Sequence, residues 1–260
     1  MSKKNGATRP KIAFFEFTSC EGCQLTVVDS LQDYPELLEA VEIVQFREAM
    51  SAGTDDYLIA FIEGSYTRSS DELRIKKIRD QAQIVVALGA CAHIGGINAI
   101  RNARPSRDER SYVYGDFAKL YEPHPAHPLS ALITVDAFIP GCPIDRQEFI
   151  RVVKALLMNR KPDIPDYPVC VECKLKENKC RYQCGGTCLG PVTRAGCQAL
   201  CPTFNQDCIG CRGLIPNPNL DWLKVVMGEN GLSEEEIAAK FSMFLNESIL
   251  ESEVAGYGPR

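Results

Sequence analysis

Nine of the thirteen cysteines in this chain fall between Cys170 and Cys211, and the other four, Cys20, Cys23, Cys91 and Cys142, are spread over the first 142 residues. That partition constrains the fold more than any other feature. The dense stretch is too rich in Cys, Gly and Pro for long regular elements, so its structure must be organised around something other than an apolar core. The sparse cysteines sit in text of a different kind, where strands and helices alternate.

From residue 11 to about 160 the pattern predicts an α/β unit. Lys11–Thr18, Val41–Phe46, Tyr57–Ile62, Ile84–Leu88 and Ala137–Ile139 are compact apolar runs suited to strands covered on both faces. Between them Cys20–Leu38 predicts a helix with Leu25, Val28, Leu31 and Leu37 inward. Ser70–Ala82 predicts another on Leu73, Ile75 and Ile78, and Asp145–Met158 a third. Strand–helix alternation implies right-handed crossovers and a doubly wound parallel sheet. Residues 103–130, rich in Pro, Arg and His, read as an insertion outside the core. Pro162, Pro165 and Pro168 then separate a first domain, 1–161, from a second, 162–260. The second closes with two expected helices, Leu220–Met227 and Ser233–Leu250, the latter opened by a Ser233/Glu236 capping box.

A net charge of −5 with dispersed basic residues gives no reason to expect nucleic acid or an anionic membrane surface. No run approaches the ~18 apolar residues of a spanning helix, and the opening residues lack a secretory signal. The expectation is therefore a cytoplasmic protein, in which metal explains thirteen cysteines better than disulfides do.

Cys20 and Cys23 form a C-x-x-C between a strand and a helix, a placement shared with redox-active dithiols. Cys91 and Cys142 each follow a glycine at the end of another predicted strand. Taken singly, Cys91 and Cys142 fit small buried hydrophobes. Together, the four converge on the edge where open parallel sheets bind ligands, and they match the four thiolates of a [4Fe-4S] cluster. Gly22, Gly89 and Gly141 allow the backbone to approach such a cluster closely. In the dense stretch Cys170/Cys173 and Cys208/Cys211 bracket Cys180, Cys184, Cys188, Cys197 and Cys201. Eight thiolates fill two further clusters and one is left over. Cys201-Pro202 matches the Cys-Pro that closes bacterial ferredoxin runs. A zinc-ribbon reading stands beside this one, because four-cysteine zinc sites also use C-x-x-C pairs.

Cys20-Glu21-Gly22-Cys23, Gly89-Ala90-Cys91, Gly141-Cys142-Pro143, Cys188-Leu189-Gly190-Pro191-Val192-Thr193 and Cys208-Ile209-Gly210-Cys211 resemble the cluster motifs of the small, electron-transferring subunit of [NiFe]-hydrogenases. The resemblance covers most of the chain and implies a flavodoxin-like domain followed by a small irregular iron–sulfur domain. It implies a proximal cluster on Cys20, Cys23, Cys91 and Cys142, and a distal one on Cys170, Cys173, Cys180 and Cys188. A medial cluster falls to Cys197, Cys201, Cys208 and Cys211. Exported members of that family carry His at the position of Cys170 and lack a fourth medial thiolate. Cys170 and Cys201 therefore resemble the cytoplasmic branch, with three [4Fe-4S] clusters, and Cys184 is left as a spare thiol. The nickel–iron centre would lie in a separate large subunit. A further electron-acceptor subunit, a flavin or iron–sulfur reductase, would complete the complex. The related quinone-reductase subunit of respiratory complexes has adjacent cysteines in its cluster and lacks the two-cluster tail. Two alternatives remain: an iron–sulfur carrier for another oxidoreductase, and a zinc-stabilised interaction protein.

Weaker signals accompany these. Glu16 and Glu63, at strand ends, suit proton relay or an interface, but also helix capping. His93 suits either a hydrogen bond to cluster sulfur or plain surface exposure. His124 and His127 read as exposed, and Trp222 as packed on the tail or a partner.

Overall fold

The computed structural model describes residues 9–103, 109–120 and 124–246. Five strands, β1 (Lys11–Glu16), β2 (Glu42–Gln45), β3 (Ile59–Glu63), β4 (Ile84–Leu88) and β5 (Ala137–Ile139), form one sheet in the order β2-β1-β3-β4-β5. Every pairing is parallel. The helices are α1 (Gly22–Asp33), α2 (Glu36–Ala40), α3 (Ser69–Gln81), α4 (Gly89–Ile94), α5 (Glu109–Tyr114), α6 (Arg146–Leu157), α7 (Val169–Leu175), α8 (Leu200–Thr203), α9 (Leu220–Glu229) and α10 (Glu234–Ser242).

Alternation along the strands builds two apolar layers, because successive side chains point to opposite faces. Ile12, Phe14, Ile59, Phe61, Val86, Leu88 and Ile139 pack with Val27 of α1 and Phe149 and Val153 of α6. Ala13, Phe15, Ala60, Ile62, Val85 and Ala87 face the other way, against Ile75 and Ile78 of α3. Phe14 stacks on Phe61 with ring centroids 5.0 Å apart. This is the doubly wound parallel sheet that the sequence predicts.

Several helix faces differ from expectation. Leu25 is 53% exposed and Leu73 79% exposed. The buried stripe of α1 is instead Cys23, Val27 and Ser30, spaced four and three apart, with Leu25 on the opposite side. Tyr34-Pro35 ends α1 at Asp33 and starts the short α2, so the predicted single helix is two. The 103–130 stretch is not wholly peripheral either. Ala126 and Leu129 are fully buried, and Leu129 joins the second layer. His127 forms an antiparallel bridge with Tyr66, so both His124 and His127 are partly buried rather than exposed. The predicted helix Ser233–Leu250 ends at Ser242, and residues 247–250 lie outside the described residues. Its capping box is present, with Ser233 and Glu236 bonded to each other's backbone N–H groups. Among the described residues no helix is long and apolar enough to cross a membrane.

Candidate metal centres

Strand register places the first four cysteines. Glu16 pairs with Glu63, Glu63 with Leu88 and Leu88 with Ile139, so four strands end level with one another. The chain leaving β1 carries Cys20 and Cys23, the chain leaving β4 carries Cys91, and the chain leaving β5 carries Cys142. β1 and β3 meet where the strand order reverses, the crevice in which such sheets bind ligands.

The glycines between these elements make the approach possible. A Cβ on Gly89, at φ +82°, would overlap Cys23 Sγ, and one on Gly96, at φ +60°, would lie 2.8 Å from Cys91 Sγ. Only glycine leaves that space at such angles. Burial raises the Cys91 thiol to about 12, with the negative charge of Cys142, Cys20 and Glu63 adding to it. Cys23 and Cys142 are raised by burial too, and Cys20 acts on Cys142. Cys20, Cys91 and Cys142 thus lie within electrostatic reach of one another, and Cys91 and Cys142 within reach of Cys23.

Glu63 reaches across from β3. Its carboxylate accepts from the N–H groups of Cys23 (3.1 Å) and Gln24 (3.0 Å), and so caps the start of α1. Burial raises its pKa, although these donors oppose that. Of the readings for Glu63, helix capping is the one the geometry bears out. Glu16 instead pairs with Arg47 at 3.1 Å and Arg74 at 3.3 Å.

The dense cysteines fall into two further groups. Cys170 is pushed up to about 11 by burial and then by Cys188, Cys173 and Cys180. Cys211 is pushed up to about 12 by burial and then by Cys197, with Cys142 and Cys201 contributing. A cavity of about 190 Å³ opens between Cys197, Cys201, Cys208 and Cys211, with Cys142 on its wall. Cys208 donates its N–H to Cys188 Sγ at 3.2 Å, and Gly190 does so at 3.4 Å. The three groups therefore abut in series: Cys142 beside Cys211, and Cys208 beside Cys188.

All thirteen cysteines are free. Among the described residues no group of three His, Cys, Asp or Glu gathers tightly around a single-ion position. Five of the thiols, Cys142, Cys197, Cys201, Cys208 and Cys211, line the hollow instead. Burying several thiols together opposes their ionisation, and an iron cluster would reverse that by coordinating the thiolates directly. The donor set, four soft sulfurs to a group, fits [4Fe-4S] ligation.

Three residues that sequence reasoning passed over belong to this region. Asn98 donates to Thr18 O and Ser65 Oγ, both at 2.9 Å, and its amide nitrogen also lies 3.7 Å from Cys91 Sγ. Arg212 and Glu148 form a fully buried pair at 2.8 Å beside the cavity. An arginine directly after a ligand-type cysteine was the available signal for that pair. His93 stacks on Phe138 with centroids 3.9 Å apart, and burial, helped by Arg194 and Arg212, lowers it to about 3. It is a packing residue between β5 and the cysteine-rich segment. Trp222 is exposed rather than packed on the tail.

Residues 20–156 match the family model described as NADH ubiquinone oxidoreductase, 20 Kd subunit. The chain belongs to this family. Within it, the chain groups with hydrogenase subunits. It is 35% identical over 239 residues to the sulfhydrogenase 2 subunit delta of Pyrococcus furiosus, covering 90% of this chain and 98% of that one. It is 28% identical over 171 residues to the delta subunit of the NAD-reducing hydrogenase of Cupriavidus necator, covering 60% and 82%. A solved chain from an NAD+-reducing [NiFe]-hydrogenase superposes with a TM-score of 0.54 at 25% identity, over 61% of this chain and 96% of that one. A chain of the [NiFeSe] hydrogenase from Desulfovibrio vulgaris Hildenborough shares the fold, with a TM-score of 0.51 at 19% identity, covering 80% and 94%.

Proposed function

We propose that this chain is the small, electron-transferring subunit of a cytoplasmic [NiFe]-hydrogenase. In this reading Cys20, Cys23, Cys91 and Cys142 hold a proximal [4Fe-4S] cluster, Cys197, Cys201, Cys208 and Cys211 a medial one, and Cys170, Cys173, Cys180 and Cys188 a distal one. The observation that supports it is the pair of links that joins the three proposed sets in series, Cys142 beside Cys211 and the Cys208 N–H on Cys188 Sγ. When bound, the clusters would supply one-electron transfer, which no side chain of this protein offers.

The protein's own part is to hold, shield and polarise the thiolates. Asn98 beside Cys91, and the N–H groups of Gly190 and Cys208 on Cys188, direct positive hydrogen at sulfur and so favour the more negative, reduced state. Hydrogen splitting belongs to a separate large subunit carrying the nickel–iron centre. The sheet edge, where Leu25 and Ile97 stand exposed, is the face that would meet it. In the distal set Cys180 is exposed, and Leu175, five residues before it in the chain, is 80% exposed; this is where a reductase subunit would dock.

Anaerobic purification with the co-expressed large subunit tests this reading. About twelve irons and twelve acid-labile sulfides per small subunit are expected, together with nickel in the partner and reduction of the clusters under hydrogen seen by paramagnetic resonance. Zinc in place of iron would refute it. A second reading, an iron–sulfur carrier for another oxidoreductase, draws on the description of the matched family. Full iron content in a complex without nickel would favour that alternative.

A further inference from the structure

Arg212 is the largest fully buried side chain among the described residues, 2% exposed, and it directly follows Cys211. A buried arginine is tolerated only when its charge and its donors are matched. Here Nε donates to Ala195 O at 2.8 Å, Nη1 to Pro140 O at 2.9 Å and Nη2 to Glu148 Oε1 at 2.8 Å. Each acceptor lies on a different piece of chain. Ala195 stands two residues before Cys197, Pro140 two residues before Cys142, and Glu148 in the first turn of α6. One rigid guanidinium fork thus ties the loops of two cysteines, Cys142 and Cys197, to that of its own neighbour Cys211, a geometry lysine cannot reproduce. Gly196 makes room for it: at φ +114°, a Cβ there would overlap Nη2 and stand 2.8 Å from Glu148 Oε1.

Arg212 lines the cavity with Cys142, Cys197, Cys201, Cys208 and Cys211, whereas Glu148 does not; Asp145, the acidic residue on the same wall, accepts from the Glu148 N–H at the start of α6. The pair therefore turns its positive end to the hollow and its negative end away. Glu172 stands by the Cys197 loop, its carboxylate accepting from the N–H groups of Gly196 and Ala199. Arg194 stands on the arginine side, and Arg151 and Asp145 flank Glu148 with opposing effects.

We infer that the Arg212–Glu148 pair is a positioning device for the medial cluster, fixing the Cys142, Cys197 and Cys211 loops relative to one another and raising that cluster's reduction potential through the charge it holds beside it. The inference rests on the cluster assignment of the preceding subsection.

The test is a redox titration, followed by paramagnetic resonance, of the complex carrying E148Q, R212K or the double substitution R212M/E148Q. E148Q leaves the arginine uncompensated and is expected to raise the medial potential. The double variant removes both charges and folds without an orphaned ion. It is expected to lower the potential below wild type, by the order of tenfold in the one-electron equilibrium, about 59 mV. R212K keeps the charge but not the fork. It is expected to leave the potential near wild type while altering the magnetic coupling between the medial and proximal clusters. Shifts of the same sign in E148Q and in the double variant, or unchanged potentials at full iron content, would reduce the pair to a structural role. Iron analysis of the wild type comes first. Iron missing at this site would overturn the cluster assignment, and this inference with it.

Discussion

Cys184 and Cys180 are both exposed, lie four residues apart and look alike in the sequence, yet they stand in different relations to the distal group. Cys170 is influenced by Cys188, Cys173 and Cys180, whereas Cys184 acts on the neighbouring Arg181. Cys180→Ser is therefore expected to lose one cluster's worth of iron, about four atoms. Cys184→Ser should keep full iron and change stability by no more than about 0.5 kcal/mol. Iron and sulfide assays on the two purified variants check this, and equal iron loss in both would move the ligand assignment to Cys184. At this scale the sequence exposes its cysteines well, because a thiol at a strand end or in C-x-x-C has few other uses. It hides Asn98, Arg212 and Glu148. Their partners are backbone carbonyls, a sulfur and, for Arg212 and Glu148, each other, up to 80 residues away, and no local spacing encodes such pairings.

The strands were legible because each is a short apolar run bounded by polar or glycine-rich text, and burial on both faces demands that composition. Helix faces were less so. In α3, apolar residues at 73, 75 and 78 cannot all share one side of a helix, and it is Ile75 and Ile78, not Leu73, that meet the sheet. Ile75→Ala is expected to cost about 2–5 kcal/mol, whereas Leu73→Lys should stay within about 0.5 kcal/mol. Urea unfolding followed by circular dichroism separates the two, and a large loss from Leu73→Lys would mean that a partner subunit covers this face. In α10 the capping box satisfies donors that the helix itself leaves open. Ser233→Ala should lower stability by about 1 kcal/mol, seen as faster amide exchange across 234–242, while residues in β1 and β3 exchange as before.

Across the whole molecule the two kinds of text become two kinds of packing. The sheet has continuous apolar layers on both sides, closed by α1, α3 and α6. In the cysteine-rich segment one small cluster consists of Val169, Cys188, Ala199 and Cys208, so half of its buried members are thiols. A second cluster, Leu189, Val192, Leu223, Met227, Ile237, Phe241 and Leu245, ties the segment to α9 and α10. The proline linker is pinned rather than free, with Ala195 N bonded to Tyr167 O and Arg194 to Pro165 O. A segment packed around sulfur should depend on what the sulfur binds, since metal binding energy is folding energy where no core pre-exists. Stripping iron with chelator and mild oxidant is thus expected to speed amide exchange across 170–211, with α9 and α10 affected less and residues 11–157 still protected. The loops at Cys20, Cys91 and Cys142 should loosen locally without the sheet opening, because its strands are held by their own ladder and both apolar layers. Hydrogen exchange read by mass spectrometry on matched iron-loaded and iron-free samples decides this. If the iron-free sheet exchanged as fast as the cysteine-rich segment, the two halves would be one cooperative unit with metal at its centre. The buried Arg212–Glu148 link would then carry that cooperativity between them.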